Sequence, residues 1–508
     1  MRGRQDCRPF SLLTAHFLLI LWFVPSITAL AFDNSYARLA PDFYEVIDPV
    51  PLASPSLVAV NPDAAALLDL DLARATQDDL ARYLSGARRI PGAEPVAMLY
   101  AGHQFGTWVP QLGDGRAVLL GEVKNRRGER WDLHLKGSGP TSFARGGDGR
   151  AVLRSAIREY LGCEAMHGLG IPTTRALAIV RGDEQVQREG PEPAATLLRL
   201  APSHLRFGSF EVLAARGRGD LVKALADHVI ANHFPSLAGR YATWLREVTV
   251  RTARLVASWQ AVGFAHGVMN TDNMSVLGLT LDYGPFGFLE AYDPGFTPNH
   301  SDHEGRYAFD QQPAVGLWNL TRFAEALLSL VPRREAEEAL GAYRPSFEHH
   351  LGLRMRAKLG LTESRPEDAG LVRDLFTMLL EQRVDHTRFF RGLGDYSVQV
   401  GGTPQALRAE VADAGVLDRW LAGYRDRLAA ERSKDGERQA RMARVNPVYV
   451  VRAWLAERAI RQAEAGDPTE IERLRDLLKF PFSERPGMQE YTQSPPAWAR
   501  DLTISCSS

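Results

Sequence analysis

Three cysteines in 508 residues are too few for a disulfide framework. Neither sign of charge is in excess. Sixty Lys and Arg against 61 Asp and Glu leave a formal net charge of −1, without the clustered cationic surplus that marks a nucleic-acid partner. Heptads, repeat periods and metal-spaced Cys/His clusters are missing too, so the pattern shows no coiled coil, solenoid or zinc module. What remains is 45% hydrophobic and 24% charged, the make-up of a soluble globular chain with one large core or two moderate ones.

One long apolar run stands out. Arg2, Arg4 and Arg8 precede a stretch from Phe10 to Phe32, and Thr28-Ala29-Leu30-Ala31 offers small residues for cleavage. Residues 1–31 read as a signal peptide or single anchor. The alternative is that translation begins nearer Leu30, and both readings stay open. A membrane enters only if this leader is real; a need for ATP favours the cytoplasm.

Strand signals dominate the first part of the chain. Gly113-Asp114-Gly115 lies between Val109 and Ala117–Leu120 as in a hairpin. Trp131–Lys136 alternates strictly, with Trp131, Leu133 and Leu135 on one face and Lys136 on the other. A helix is expected from Arg150 to about His167, with an apolar stripe that includes Val152, Ala156, Tyr160 and Leu161. A strand pair is expected at 196–200 and 205–207. Helical patterns follow at 248–262, 316–330, 368–382, 417–433 and 446–464. The expectation is an α+β fold in four parts: the leader, an N-terminal nucleotide-binding lobe over 32–215, a C-terminal lobe over 216–345, and a helical extension over 346–508. Strands first and helices later is the order of a two-lobed protein-kinase-like fold.

The chemistry centres on His266-Gly267-Val268-Met269-Asn270-Thr271-Asp272-Asn273 and Leu281-Asp282-Tyr283-Gly284. Kinase-fold phosphotransferases carry His-x-Asp-x-x-x-x-Asn and then a metal-binding Asp in an Asp-Phe-Gly-like turn. Asn273 and Asp282 occupy the two metal-ligand positions, and their oxygens suit a hard Mg²⁺. Val268 stands where the catalytic Asp belongs, and Asp272 precedes the Asn. The loop thus retains metal-nucleotide ligands but is rearranged for chemistry other than ordinary γ-phosphate transfer.

Lys136 on its strand and Glu159 on the following helix match a Lys–Glu pair that positions phosphates. Taken singly, each is usually a solvated surface charge; their order relative to Asp272, Asn273 and Asp282 favours the functional reading. Gly113, Gly115 and Arg116 present backbone N–H groups and a guanidinium fork suited to phosphate, or a plain tight turn. Asp148 and Gly149 precede a helix, where Asp148 serves either as a cap or beside an anion site. Arg199 and Arg206 lie among apolar neighbours, as rim charges or as donors to a triphosphate. His300, Asp302, His303 and Glu304 fit no metal-ligand spacing and read as a solvated loop.

With these residues in hand, the chain resembles the selenoprotein O family, also called the protein adenylyltransferase SelO family. The resemblance is carried by Tyr100-Ala101-Gly102-His103-Gln104-Phe105-Gly106, Gln111–Arg116, Leu135-Lys136-Gly137-Ser138-Gly139, His266–Met274, Leu281–Pro285 and Ser505-Cys506-Ser507-Ser508. It runs from Phe32 to the last residue. It implies a pseudokinase fold that binds ATP in a flipped orientation and transfers AMP to protein hydroxyls. On that basis Gly113, Gly115, Arg116, Lys136, Asp148, Gly149, Arg199 and Arg206 bind nucleotide, and Glu159 orients Lys136. Asp272 accepts the proton, while Asn273 and Asp282 hold Mg²⁺ or Mn²⁺. The implied partners are ATP and proteins bearing Ser, Thr or Tyr hydroxyls. Rival readings are UMP transfer, a true kinase that uses Asp272 as base, and a non-catalytic nucleotide-binding scaffold. The family's cysteine or selenocysteine near the carboxyl end, here Cys506, is linked to redox control, and the pattern leaves its pairing partner open.

Overall fold

A computed structural model describes residues 25–499 and 502. Among them the chain is α+β, with strands up to Ala201 and mostly helices beyond. The main sheet is antiparallel, in the order Tyr44–Val46, Val96–Met98, Ala117–Lys124, Arg130–Lys136, Pro191–Ala201, Arg175–Gln187, Ser56–Val60. Ala151–Val152 pairs with Pro191–Ala201 as a further short strand.

The period-two alternation of these strands divides two cores. Leu133 and Leu135 join Val118, Leu120, Leu198 and Leu200 on one face. The helices Pro62–Leu67 and Gln77–Leu84 cover that face, and each starts where the sequence supplies a cap. Asn61 accepts the N–H groups of Asp63 and Ala64 ahead of Pro62, and Thr76 accepts that of Asp79. The opposite face carries Lys136, His134 and Arg199 towards the helix Leu153–Gly168. A third apolar cluster joins helices between Tyr343 and Met442. The later helices Ala453–Glu464 and Thr469–Lys479 return to pack with Leu153–Gly168 in the largest core.

Several sequence expectations shift. The segment before Phe32 is partly folded onto the sheet: Ile27 and Leu30 are buried, and the Lys124 N–H donates to Ala31 O. Residues 1–24 of the expected leader lie outside the described residues. Gly113–Gly115 is not a hairpin turn. Thr107–Val109 pairs instead with Gly102–Gln104, and residues 112–114 donate back to Tyr100 and Met98 carbonyls. Leu205–Phe207 is not a strand, because Phe207 begins the helix Phe207–Ala215. Pro191–Ala201 pairs instead with Arg130–Lys136 on one side and Arg175–Gln187 on the other. The helix expected from Arg150 starts at Leu153, behind the short strand Ala151–Val152. Asp148 therefore caps no helix; its carboxylate accepts the Arg150 N–H and pairs with Arg188 at 2.7 Å. Asp302 is buried, accepting the N–H groups of Arg306 and Tyr307, though His300, His303 and Glu304 are exposed. Among the described residues no helix is long and apolar enough to cross a membrane.

Candidate active site

The helix Tyr241–Val262 ends at Gly263, whose φ of 73° supplies a left-handed C-cap. Phe264–Ala265 then pairs with Gly287–Phe288. That pairing closes a loop carrying both His266–Asn273 and Asp282. His266 is buried and neutral in role: Nε2 donates to Leu281 O at 3.0 Å, while Nδ1 accepts the Val268 N–H at 3.3 Å. Burial holds its pKa below the usual histidine value. The imidazole thus locks the turn before Asp282 to the turn at Val268. Asn273 Nδ2 donates to Val268 O at 2.9 Å, which reserves its side-chain oxygen for another partner.

A cleft of about 670 Å³ lies between this loop and the sheet. Gly113, Gly115, Arg116, Lys136, Asp148, Gly149, Arg199, Arg206, Asp272, Asn273 and Asp282 all line it, with Val268 beside them. Residues far apart in sequence are thereby brought to one place. Glu159 sits just behind and is fully buried. Gly115 owes its identity to close approach, since a Cβ there would meet Phe143 O at 2.7 Å.

The floor of the cleft is an ion-pair network. Lys136 Nζ lies 2.5 Å from Glu159 Oε2, and Arg199 lies 3.0 Å from Glu159 Oε1. Arg199 also binds Asp282 Oδ1, and Arg206 binds Asp282 Oδ2 at 2.6 Å. Burial opposes ionisation of Asp282, but Arg206, Arg199 and Lys136 outweigh it and hold the carboxyl well below the usual range. Its φ of 55° is left-handed, a conformation Asp tolerates better than most residues. Asp272 differs: burial pushes its carboxyl up to about 7, against a hydrogen bond from Gln104 and the charge of Arg206.

Sequence reasoning missed part of this shell. His134 pairs with Leu119 and Arg199 across the sheet; its Nε2 faces Asp114 Oδ2 at 2.9 Å and its Nδ1 faces Arg199 at 2.7 Å. His204 stacks on it at 4.4 Å. Burial lowers the pKa of both imidazoles, so they buttress Arg199 without adding charge. The alternation that placed Lys136 places His134 on the same face, and that was the available signal. Asp114, read as a turn residue, is a buried carboxylate that also accepts the Met98 N–H. Tyr100 lies under Arg206, ring centroid to guanidinium carbon 4.4 Å. Cys163 is a buried helix residue beside Thr174, whereas Cys7 and Cys506 lie outside the described residues.

Comparison with known proteins gives a consistent result. The family described as "Protein adenylyltransferase SelO" matches residues 26–479. The chain is similar to the "Protein nucleotidyltransferase YdiU" of Myxococcus xanthus, 56% identical across 95% of this chain and 100% of the other. Proteins of the same description are 53% identical in Thioalkalivibrio sulfidiphilus, across 94% and 99%, and 50% identical in Thiobacillus denitrificans, across 95% and 100%.

Proposed function

The chain belongs to the protein adenylyltransferase SelO family, and from that premise we propose that it transfers AMP from ATP to Ser, Thr or Tyr hydroxyls of proteins and releases pyrophosphate. The observation that carries this reading is the make-up of the catalytic loop. Val268 lines the cleft at the base position of a kinase, while Asp272, Asn273 and Asp282 line the same cleft beside Arg116, Lys136, Arg199 and Arg206. A triphosphate of about four negative charges needs such a set of donors. The reading takes the fold as protein-kinase-like, with residues 32–215 holding the nucleotide and 216–345 the loop and Asp282.

In the proposed reaction a protein hydroxyl oxygen attacks the α-phosphorus and the bond to the pyrophosphate oxygen breaks. Asp272 takes the hydroxyl proton. Lys136, held by Glu159, and Arg199 and Arg206 stabilise charge on the departing pyrophosphate. Gly113, Gly115, Asp148 and Gly149 shape the wall against which the nucleotide lies. The donor set fits a hard divalent cation, because Asp282 is ionised and Asn273 has an oxygen to spare, with phosphate oxygens and water completing the shell. Asp282 and Asn273 would hold Mg²⁺ or Mn²⁺, which would supply charge neutralisation at the phosphates. A dependence on ATP favours the cytoplasm.

Mass spectrometry of an acceptor protein incubated with the chain, ATP and Mg²⁺ is expected to reveal AMP esterified to a Ser, Thr or Tyr hydroxyl, absent when a chelator is added. Adducts of phosphate alone assign a kinase, adducts of UMP in a parallel incubation with UTP assign the pyrimidine nucleotide, and no adduct with intact ATP binding assigns a scaffold.

A further inference from the structure

A short hairpin packs against the catalytic loop. Gly102–Gln104 pairs with Thr107–Val109 through a two-residue turn, Phe105–Gly106, with φ of 50° and 82°. Both central residues in the left-handed region make a tight hairpin connection that matches strand twist. It is fastened to the loop at successive positions. The His103 N–H donates to Thr271 Oγ1 at 2.7 Å, and the Phe105 N–H donates to Asn270 Oδ1 at 3.2 Å. On its other side His103 Nδ1 lies 2.6 Å from Glu211, between the rings of Trp108 and Trp318. A hairpin pinned on both sides holds whatever its inner face carries.

That inner face carries Gly102 and Gln104, two residues apart and so on one side of the strand. Gln104 Nε2 donates to Asp272 Oδ2 at 3.2 Å. Asp272 Oδ1 is buried with no hydrogen-bond partner, and it lies against Gly102, where a Cβ would come within 2.7 Å of it. One carboxylate oxygen is wedged against a backbone that only glycine permits. The other is held by the carboxamide in the cleft that both side chains line.

We propose that Gln104 is a positioning residue for the reaction, orienting the Asp272 carboxylate so that Oδ2 faces the acceptor hydroxyl, with Gly102 fixing the opposite oxygen. The inference rests on the reading of Asp272 as proton acceptor. Gln104 touches neither nucleotide nor acceptor in this role; it sets the angle of the group that does, and catalysis is sensitive to such angles.

The test compares wild type, Gln104→Met, Gln104→His and Gly102→Ala in steady-state AMP transfer to one acceptor protein, with ATP binding measured separately. Gln104→Met keeps the bulk and removes the donor. Its kcat is expected to fall about ten- to a hundredfold, with KM and Kd for ATP unchanged. Gln104→His, which restores an N–H at similar reach, is expected to recover most of the loss. Gly102→Ala is expected to lose kcat as well. An unchanged kcat in Gln104→Met and Gly102→Ala overturns the inference, as does a loss confined to ATP affinity. A wild-type chain that transfers no AMP overturns the functional reading and the positioning role together; a wild type that transfers while Gln104→Met matches it overturns the positioning role alone.

Discussion

Asp282→Ala is expected to lower AMP transfer at least about a thousandfold. Two losses combine at that position. A hard divalent cation loses its one charged protein ligand in the proposed set, and Lewis-acid stabilisation of this kind supplies several kcal/mol at about 1.4 kcal/mol per tenfold in rate. Arg199 and Arg206 also lose the carboxylate that aligns them, since each binds one of its two oxygens. Asp282→Asn keeps the shape and one oxygen donor but not the charge, and it is expected to stay close to the Ala variant. Asn273→Ala is expected to be milder, because water replaces a neutral ligand. The assay is AMP incorporation at saturating ATP with metal titrated. Near-wild-type transfer by Asp282→Ala, with a chelator still inhibiting, places the metal elsewhere.

Arg199→Ala is expected to damage stability and activity together. The guanidinium is 2% exposed and joins Glu159, Asp282 and His134. Removing it leaves the fully buried Glu159 and the partly buried Asp282 short of a counter-charge, and breaking a buried pair by deleting one partner typically costs about 3–5 kcal/mol. Transfer is expected to fall at least ten- to a hundredfold from loss of the proposed phosphate donor alone, on the basis of about 1.5–3 kcal/mol per charged hydrogen bond. Arg199→Lys is expected to recover little, because a compact ammonium cannot span three partners that a planar fork reaches. Urea unfolding and transfer rates on the same preparations check this. Stability within about 1 kcal/mol of wild type, the upper range of an exposed pair, together with full activity, contradicts the network as described.

The residues of the site were legible where chemistry leaves a local mark. A loop with Asn273 and Asp282, a strand Lys136 and a helix Glu159 carry a recognisable order along the chain, and the structure brings Lys136, Asn273 and Asp282 into one cleft with Glu159 paired to Lys136 behind it. What escaped depends on pairing across the sheet. His134 looks like any polar strand residue until Arg199 is set opposite it in register. Asp114, between two glycines, looked like a turn, because nothing in the sequence says that Met98 and His134 lie within reach. The same gap explains the misplaced strands. Arg175–Gln187 contains Gly182-Asp183-Glu184, which falls at the register shift between the pairing of Arg181 with Ala195 and that of Gln185 with Pro193 and breaks the strand pattern there. A 3.6-residue apolar stripe is a property of one segment, so the expected helices are present, but their ends moved by up to seven residues, as at Tyr241 and Ala453, and Gly219–His233, Tyr343–Lys358 and Thr469–Lys479 were not expected.

The most direct measurement of the central claim is incubation of the chain and one acceptor protein with ATP labelled at the α-phosphate, in parallel with ATP labelled at the γ-phosphate. With Val268 at the kinase base position and Asp272 beside Asn273, α-label is expected on the protein and γ-label in free pyrophosphate only. Stable γ-label on the acceptor, with no α-label, contradicts adenylyl transfer and makes the chain a kinase.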